Sequence, residues 1–228
     1  MICENLAKIK KEIDDTAKRC GRKPEDIQLL AVSKRIDDET IREAWQCGQK
    51  AFGENFIQEA LDKIDRLSPE ITWHFIGHLQ SNKAKAAARH FNLIETVDRL
   101  KIARALDKYA AESDRRLDIL VQVNVGREAQ KSGIAPENAE QFLREIGTLT
   151  NLRVRGLMTM PPYSADPEDS RPYFRKLKLL ADRCARLDLF ADNRAVTVSM
   201  GMSNDFKIAI EEGATLVRVG TAIFGERT

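Results

Sequence analysis

Two kinds of apolar pattern alternate along most of this chain. Short runs rich in Val, Ile and Leu are followed by longer stretches in which apolar side chains recur every three or four positions. The first pattern is typical of buried strands in a parallel sheet, and the second of helices that pack on one face. The alternation therefore predicts repeated strand–helix units.

Eight strands are predicted, and each is followed by a helix or by the end of the chain. The strands are centred near residues 29, 51, 73, 94, 120, 155, 197 and 217. A lead-in helix is predicted over 3–20, and later helices over 38–48, 57–64, 82–90, 99–113, 136–147, 167–187 and 203–212. Glycines at the ends of several of these stretches, such as Gly21 and Gly48, are typical helix stop signals.

Eight strand–helix steps without a linker predict a single α/β domain over residues 1–228, a TIM-type (β/α)₈ barrel. An open doubly wound sheet is the alternative, but such a sheet rarely needs eight strands in a chain of this length. In a (β/α)₈ barrel, ligands bind at the carboxyl ends of the strands, and phosphate groups commonly bind at the loops after strands seven and eight.

Small and hydroxyl-bearing residues occupy those two loops. Gly201 and Gly220 let backbone N–H groups approach a ligand closely, while Ser199, Ser203 and Thr221 add hydroxyl donors. Convergence of such groups predicts a phosphate site. Ordinary strand-to-helix turns favour the same residue types, so the position of these loops in the barrel is the stronger argument.

Ser203 has a second predicted role in this loop. It precedes a helical pattern that begins near Asn204, and serine is a favoured N-cap residue. The positive end of that helix would then face the phosphate site.

A lysine and an arginine lie at strand positions where chemistry is expected. Lys34 follows the first strand, where partial burial would make its amine nucleophilic and suited to a Schiff base with an aldehyde. The alternatives are an amine that extends to solvent or pairs with a carboxylate such as Glu54. Arg218 lies within the last strand, and alternation turns its guanidinium into the barrel, towards a carboxylate, a ring nitrogen or an anionic ligand.

Other polar residues give weaker indications. Asn55 follows the second strand and could bond a ligand hydroxyl or simply begin a helix. His74 lies in an apolar strand, so a satisfied core histidine is expected, whereas His78 lies on the next turn and could be a donor at the barrel rim. No catalytic triad, paired carboxylates or metal-ligand spacing is present, so no metal site and no catalytic residue is predicted.

Composition and charge narrow the class of protein. The 37 basic and 35 acidic residues give a net charge of +2, which does not favour nucleic acid as a partner. Four cysteines without Cys-x-x-Cys spacing suit a reducing compartment. No apolar run approaches the length of a membrane span, and the amino terminus is not a signal peptide. A cytoplasmic protein is expected.

Motifs along nearly the whole chain resemble one family, the YggS/PROSC-type pyridoxal-5′-phosphate (PLP) homeostasis proteins, whose fold is similar to the barrel domain of alanine racemase. The motifs are Leu30-Ala31-Val32-Ser33-Lys34, Phe52-Gly53-Glu54-Asn55, 73–83 (WHFIGHLQSNK), Gln122-Val123-Asn124, Lys131-Ser132-Gly133, Arg155-Gly156-Leu157-Met158, Ser199-Met200-Gly201-Met202-Ser203 with Asp205, and 218–225 (RVGTAIFG).

The resemblance implies a cofactor site made of residues from four strand ends. It implies that Lys34 carries PLP as a Schiff base, that Arg218 faces the pyridine nitrogen and that Asn55 lies near the ring. The phosphate would be held by Ser199, Met200 (through its backbone), Ser203, Gly220 and Thr221. Two positions depart from the family pattern: Phe56 stands where tyrosine is common, and Arg35 where threonine is common.

The function implied is intracellular PLP (vitamin B6) homeostasis without substrate turnover. Racemases of this fold take a second catalytic base from an additional β-domain, and this sequence ends soon after strand eight, so no such domain is expected. PLP-dependent apo-enzymes are the expected recipients, and a monomer is expected. The alternative is a PLP-dependent racemase or decarboxylase with His78, Tyr163 or Lys131 as the acid/base partner, and a weaker one is a barrel that binds a sugar phosphate.

Overall fold

Eight parallel strands form a closed barrel, each paired with its neighbours in chain order, in a computed structural model that describes residues 1–226. The strands are β1 (Gln28–Val32), β2 (Ala51–Glu54), β3 (Thr72–Phe75), β4 (Leu93–Val97), β5 (Leu117–Gln122), β6 (Leu152–Met158), β7 (Thr197–Ser199) and β8 (Leu216–Val219). β8 closes the ring against β1, where Leu30 lies opposite Arg218. The predicted barrel is confirmed.

Helices surround the barrel. They are α1 (Ile2–Arg19), α2 (Asp38–Gln46), α3 (Ile57–Arg66), α4 (Ala84–His90), α5 (Leu100–Ala111), α6 (Ala139–Ile146), α7 (Arg171–Arg186), α8 (Phe206–Glu211) and α9 (Thr221–Phe224). Helices α1 to α7 lie where the sequence predicted them, and α9 was not predicted. Short 3₁₀ turns precede α4, α6 and α7. Two of these turns begin at Pro136 and Pro167, because proline fits the first position of a helix, where its missing N–H needs no partner.

The helix after β7 begins later than predicted. Its N-cap is Asp205, and its first residue is Phe206. The Asp205 carboxylate accepts a hydrogen bond of 2.7 Å from the backbone N–H of Met202, which holds the preceding residues in a turn. The prediction that Ser203 caps this helix is therefore wrong.

The apolar core has two parts, which follow from strand alternation. Outward-facing residues such as Leu29 and Ala31 belong to one large cluster between the barrel and the helices. Inward-facing residues form two smaller clusters inside the barrel. Those inner clusters consist of Leu30, Val32, Ala51, Ile76 and Leu216, and of Leu93, Leu120 and Met158.

Two of the four cysteines are paired. Cys3 in α1 and Cys47 at the end of α2 form a disulfide, with their Cα atoms 5.4 Å apart. Their separation of 44 residues gives no spacing signal, and the pairing differs from the expectation that the four cysteines suit a reducing compartment. Burial raises the pKa of the Cys184 thiol to about 11, which makes it unreactive. Within residues 1–226 the structure contains no helix that is both long and apolar enough to cross a membrane.

Candidate ligand-binding site

A cavity of about 270 Å³ opens at the carboxyl ends of the strands. It lies between the ends of β1 and β2 on one side and the loops after β6, β7 and β8 on the other. Six residues predicted from the sequence line it together: Lys34, Asn55, Ser203, Arg218, Gly220 and Thr221. Because these residues come from distant parts of the chain, the closed barrel is what brings the predicted lysine and the predicted phosphate loops to one space.

The loops after β7 and β8 are joined through Ser203. Its hydroxyl oxygen accepts hydrogen bonds from the backbone N–H groups of Gly220 (3.3 Å) and Ala222 (3.4 Å). Ser203 therefore contacts the first residues of α9 rather than those of α8. In the same loop, Gly201 lets the backbone pass close to α8, because its φ of +91° favours glycine and a Cβ would lie 2.5 Å from the Cβ of Ala209.

The Asp205 side chain holds the loop after β7 in place. Its buried carboxylate accepts from Met202 N–H (2.7 Å) and from the Ser170 hydroxyl (2.9 Å). The second bond connects this loop to the 3₁₀ turn before α7, whose Ser170 also lines the cavity. Sequence reasoning assigned no role to either residue, since their contact spans 35 positions.

Arg218 points into the barrel, as alternation predicted, and is almost fully buried. Its Nη1 donates to the Ser199 hydroxyl at 2.5 Å, and its Nη2 donates to the carbonyl oxygen of Thr159 at 2.8 Å. Burial lowers the pKa of the guanidinium, while the nearby Glu95 carboxylate opposes that effect. Arginine is so basic that the side chain stays charged at neutral pH.

Glu95 provides the countercharge for Arg218. One carboxylate oxygen, Oε2, accepts from Ser199 at 2.6 Å and lies 4.0 Å from Arg218 Nη1. The other oxygen, Oε1, lies 2.8 Å from His74 Nδ1. The expectation of a satisfied core histidine is therefore confirmed. Glu95 was missed in the sequence, although an acidic residue within the apolar run 93–97 requires a buried partner and was a usable signal.

Ser199 and Met200 do not lie on the cavity wall. The Ser199 hydroxyl is engaged with Arg218 and Glu95 inside the barrel. The Met200 backbone N–H donates to the carbonyl oxygen of Leu216 at 3.1 Å, and its side chain is buried in the core. Both residues thus lie beneath the loop that was predicted to bind phosphate.

Asn55 presents an open hydrogen-bond acceptor at the cavity. Its Oδ1 atom is buried and has no hydrogen-bond partner within the described part of the chain. A buried acceptor of this kind suits a ligand that carries a hydroxyl donor. The backbone beside it packs tightly, since a Cβ on Gly77 would lie 2.0 Å from the Asn55 carbonyl oxygen. The adjoining Phe56, at the first departure from the family pattern, is 49% exposed.

Lys34 also lines the cavity, two residues beyond the end of β1. Glu54, a candidate partner for it in the sequence, instead accepts hydrogen bonds through Oε1 from Lys63 Nζ (2.8 Å) and the Ser33 hydroxyl (2.7 Å). Burial raises the pKa of the Glu54 carboxyl, an effect that Lys63 opposes.

The residues considered as acid/base partners lie around the rim. His78 contacts Ser132 through Nδ1 (3.2 Å) and Arg99 through Nε2 (3.3 Å). Lys131 donates to the carbonyl oxygen of Pro161 at 2.8 Å and pairs with a carboxylate of its own loop. Tyr163 lines the cavity but is 88% exposed.

Comparison with known proteins identifies the family. The model for the N-terminal domain of alanine racemase matches residues 5–228. A pyridoxal phosphate homeostasis protein from Aquifex aeolicus is 45% identical over 227 residues, which cover 99% of this chain and 98% of the relative. The chain belongs to the pyridoxal phosphate homeostasis protein family. Another pyridoxal phosphate homeostasis protein, from Escherichia coli K12, is 41% identical, and the match covers 99% of this chain and 97% of that relative.

Solved structures agree with this family assignment. The structure of PipY from Synechococcus elongatus with PLP bound matches this chain with a TM-score of 0.85 and 34% sequence identity. The match covers 99% of this chain and 100% of the PipY chain. Its PLP-free structure gives a TM-score of 0.86. An alanine racemase from Clostridium difficile has a TM-score of 0.74 at 15% identity and shares the fold. The match covers 99% of this chain and 56% of the racemase chain.

Proposed function

We propose that this protein binds PLP as a Schiff base on Lys34 and serves intracellular PLP homeostasis without substrate turnover. The observation that carries the proposal is one shared cavity, which is lined by Lys34, by Ser203 and Thr221, and by the buried Arg218. The PLP-bound relative of similar fold and length supports the same ligand.

Each part of the cavity suits one part of PLP. Ser203, Gly220 and Thr221 would hold the phosphate, and the buried Oδ1 of Asn55 would accept a hydrogen bond from the ring hydroxyl. Arg218 would face the ring nitrogen. Bound PLP supplies an aldehyde that condenses with the Lys34 amine, with loss of water. In this arrangement Ser199 orients Arg218 from inside the barrel, and Met200 supports the loop through its bond to Leu216.

Two features favour holding the cofactor over using it. A charged arginine at the ring nitrogen opposes protonation there, so the ring withdraws electrons less strongly than one paired with a carboxylate. His78 and Lys131 are engaged in contacts among the rim loops and are poorly suited to shuttle protons at the ring. We further propose that the protein is a monomer and that it supplies PLP to apo-enzymes. Relatives of this chain are named as pyridoxal phosphate homeostasis proteins, which is consistent with that role.

The test is an absorbance spectrum of the purified protein with PLP, before and after borohydride, followed by peptide mapping. We expect one reducible adduct on Lys34 and none in Lys34→Ala, which should remain folded because it removes no core packing. A protein that stays colourless with added PLP would refute the proposal and favour a sugar-phosphate ligand. Steady exchange of amino-acid α-protons in deuterated water at enzyme-like rates would show that the protein is a catalyst and would refute the proposed role without substrate turnover.

A further inference from the structure

The backbone on both sides of Lys34 is bound by side chains of a single helix. The carbonyl oxygen of Ser33 accepts a hydrogen bond of 2.7 Å from Lys63 Nζ in α3. The backbone N–H of Arg35 donates to Glu59 Oε1, also in α3, at 2.5 Å. The residue between these two contacts is the lysine that faces the cavity.

Glu59 and Lys63 are themselves an ion pair, one turn apart on α3. Lys63 Nζ lies 2.6 Å from Glu59 Oε1 and 2.8 Å from Glu54 Oε1. The lysine is almost completely buried, and the Glu59 side chain is 28% exposed. Partial burial protects such a pair from screening by salt and limits the geometries available to it.

Arg35 shows that this turn needs external support. Its φ is +58°, in the left-handed region, which residues other than glycine rarely adopt. That conformation is strained and persists where surrounding contacts enforce it. The bond from Arg35 N–H to Glu59 is a contact of that kind.

We propose that Glu59 and Lys63 form a positioning pair that fixes the direction in which the Lys34 side chain enters the cavity. The inference rests on the proposed function, since it concerns the amine that forms the Schiff base. In that reaction the Lys34 nitrogen forms a C=N bond with the aldehyde carbon, and the aldehyde oxygen leaves as water. A lysine held in the correct direction loses less conformational freedom on forming this bond.

The positioning role differs from a general structural role in what it changes. Ser203, Gly220 and Thr221, which would hold the phosphate, come from the loops after β7 and β8 and do not contact Glu59. Loss of the pair should therefore weaken covalent capture of an aldehyde and leave noncovalent seating unchanged. Pyridoxine 5′-phosphate tests the second part, because its hydroxymethyl group cannot form a Schiff base.

The experiment compares dissociation constants for PLP and for pyridoxine 5′-phosphate in wild type and three variants, together with thermal melting. Glu59→Ala should raise the Kd for PLP about tenfold and change that for pyridoxine 5′-phosphate less than about twofold. Glu59→Gln should retain tight PLP binding, because its amide oxygen still accepts from Arg35 N–H. Asp15→Ala removes an exposed ion pair of the same spacing on α1, Lys11–Asp15, and should bind both ligands as wild type does.

Each other result has a defined meaning. The positioning role would be overturned if Glu59→Ala left the Kd for PLP unchanged, or if it raised the Kd values of both ligands equally. In either case, an adduct on Lys34 in the wild type would still support the proposed function. If Glu59→Ala does not fold, Glu59→Asp replaces it, since its shorter carboxylate cannot reach Arg35 N–H, and the same loss confined to PLP is expected. A wild type without an adduct on Lys34 would remove both proposals.

Discussion

The Ser199 hydroxyl donates a hydrogen bond of 2.6 Å to Oε2 of Glu95, across the barrel interior from β7 to β4. The hydroxyl oxygen of Ser199 also accepts a hydrogen bond from Arg218 Nη1, so this one hydroxyl connects a buried cation to a buried anion. Ser203, four positions further on, instead lies on the cavity wall. Two serines of one short motif thus have separable roles.

Substituting each serine should produce different losses. Ser203→Ala should weaken PLP binding about fivefold, as expected for one lost hydrogen bond, and leave binding of pyridoxal, which has no phosphate, unchanged. Ser199→Ala should reduce the free energy of unfolding by about 1–3 kcal/mol, because it leaves buried polar atoms of Arg218 and Glu95 unsatisfied. The measurements are ligand titration and urea denaturation. A loss of affinity confined to PLP in Ser199→Ala would instead make Ser199 a phosphate ligand.

The interior charges should be coupled. Arg218→Met should destabilise the protein by about 3–5 kcal/mol, since it leaves the Glu95 carboxylate buried without its countercharge. Glu95→Gln in the same chain should restore part of that loss. A double-mutant cycle by urea denaturation of the PLP-free protein measures the coupling, which we expect to exceed about 1 kcal/mol. Strictly additive effects would show that the two side chains do not stabilise each other.

Gly77 should tolerate no side chain. A Cβ there would lie 2.0 Å from the Asn55 carbonyl oxygen, a backbone atom that cannot move without β2. Gly77→Ala should therefore cost about 3 kcal/mol or more of stability and also weaken PLP binding through displacement of Asn55. Gly21→Ala is the control, because its Cβ would meet nothing within 4 Å and only its φ of +67° is unfavourable. That variant should lose about 1–2 kcal/mol and bind PLP normally.

Glu212 should make stability depend on acidity. Hydrogen bonds from Arg175 and Arg171 hold the pKa of its carboxyl below the ordinary value of 4.5. The stabilisation is therefore complete above about pH 4.5 and lost as the pH falls through the lower folded-state pKa. Glu212→Gln should be less stable than wild type at pH 7, and this difference should shrink by pH 3 in urea denaturation. Glu70→Gln, at an exposed position, should show little difference at either pH.

The sequence predicted those features that depend on periodicity. Strand order, barrel closure and the position of Lys34 at the end of β1 follow from alternating apolar patterns and from the fact that parallel strands need helical crossovers. The inward direction of Arg218 follows from alternation within β8.

Contacts between distant segments were not predictable in this way. The hydrogen bonds from Gly220 and Ala222 to Ser203 span 17 and 19 positions. Asp205, whose side chain is as suitable for an N-cap as that of serine, takes the position predicted for Ser203. The sequence indicated no role for Lys63. Its burial depends on the end of β2 packing against that helix, which no local pattern encodes.

Ring closure places the first and last strands side by side, with Leu30 opposite Arg218. If the site is as proposed, Lys34 and the phosphate-binding loops can come together only after β8, the last strand to be synthesised, has been made. Until β8 docks, the proposed site lacks Arg218, Gly220 and Thr221, so a growing chain would not retain a phosphorylated ligand. On this proposal, ligand binding requires the completed barrel, and a chain truncated before β8 would not bind PLP.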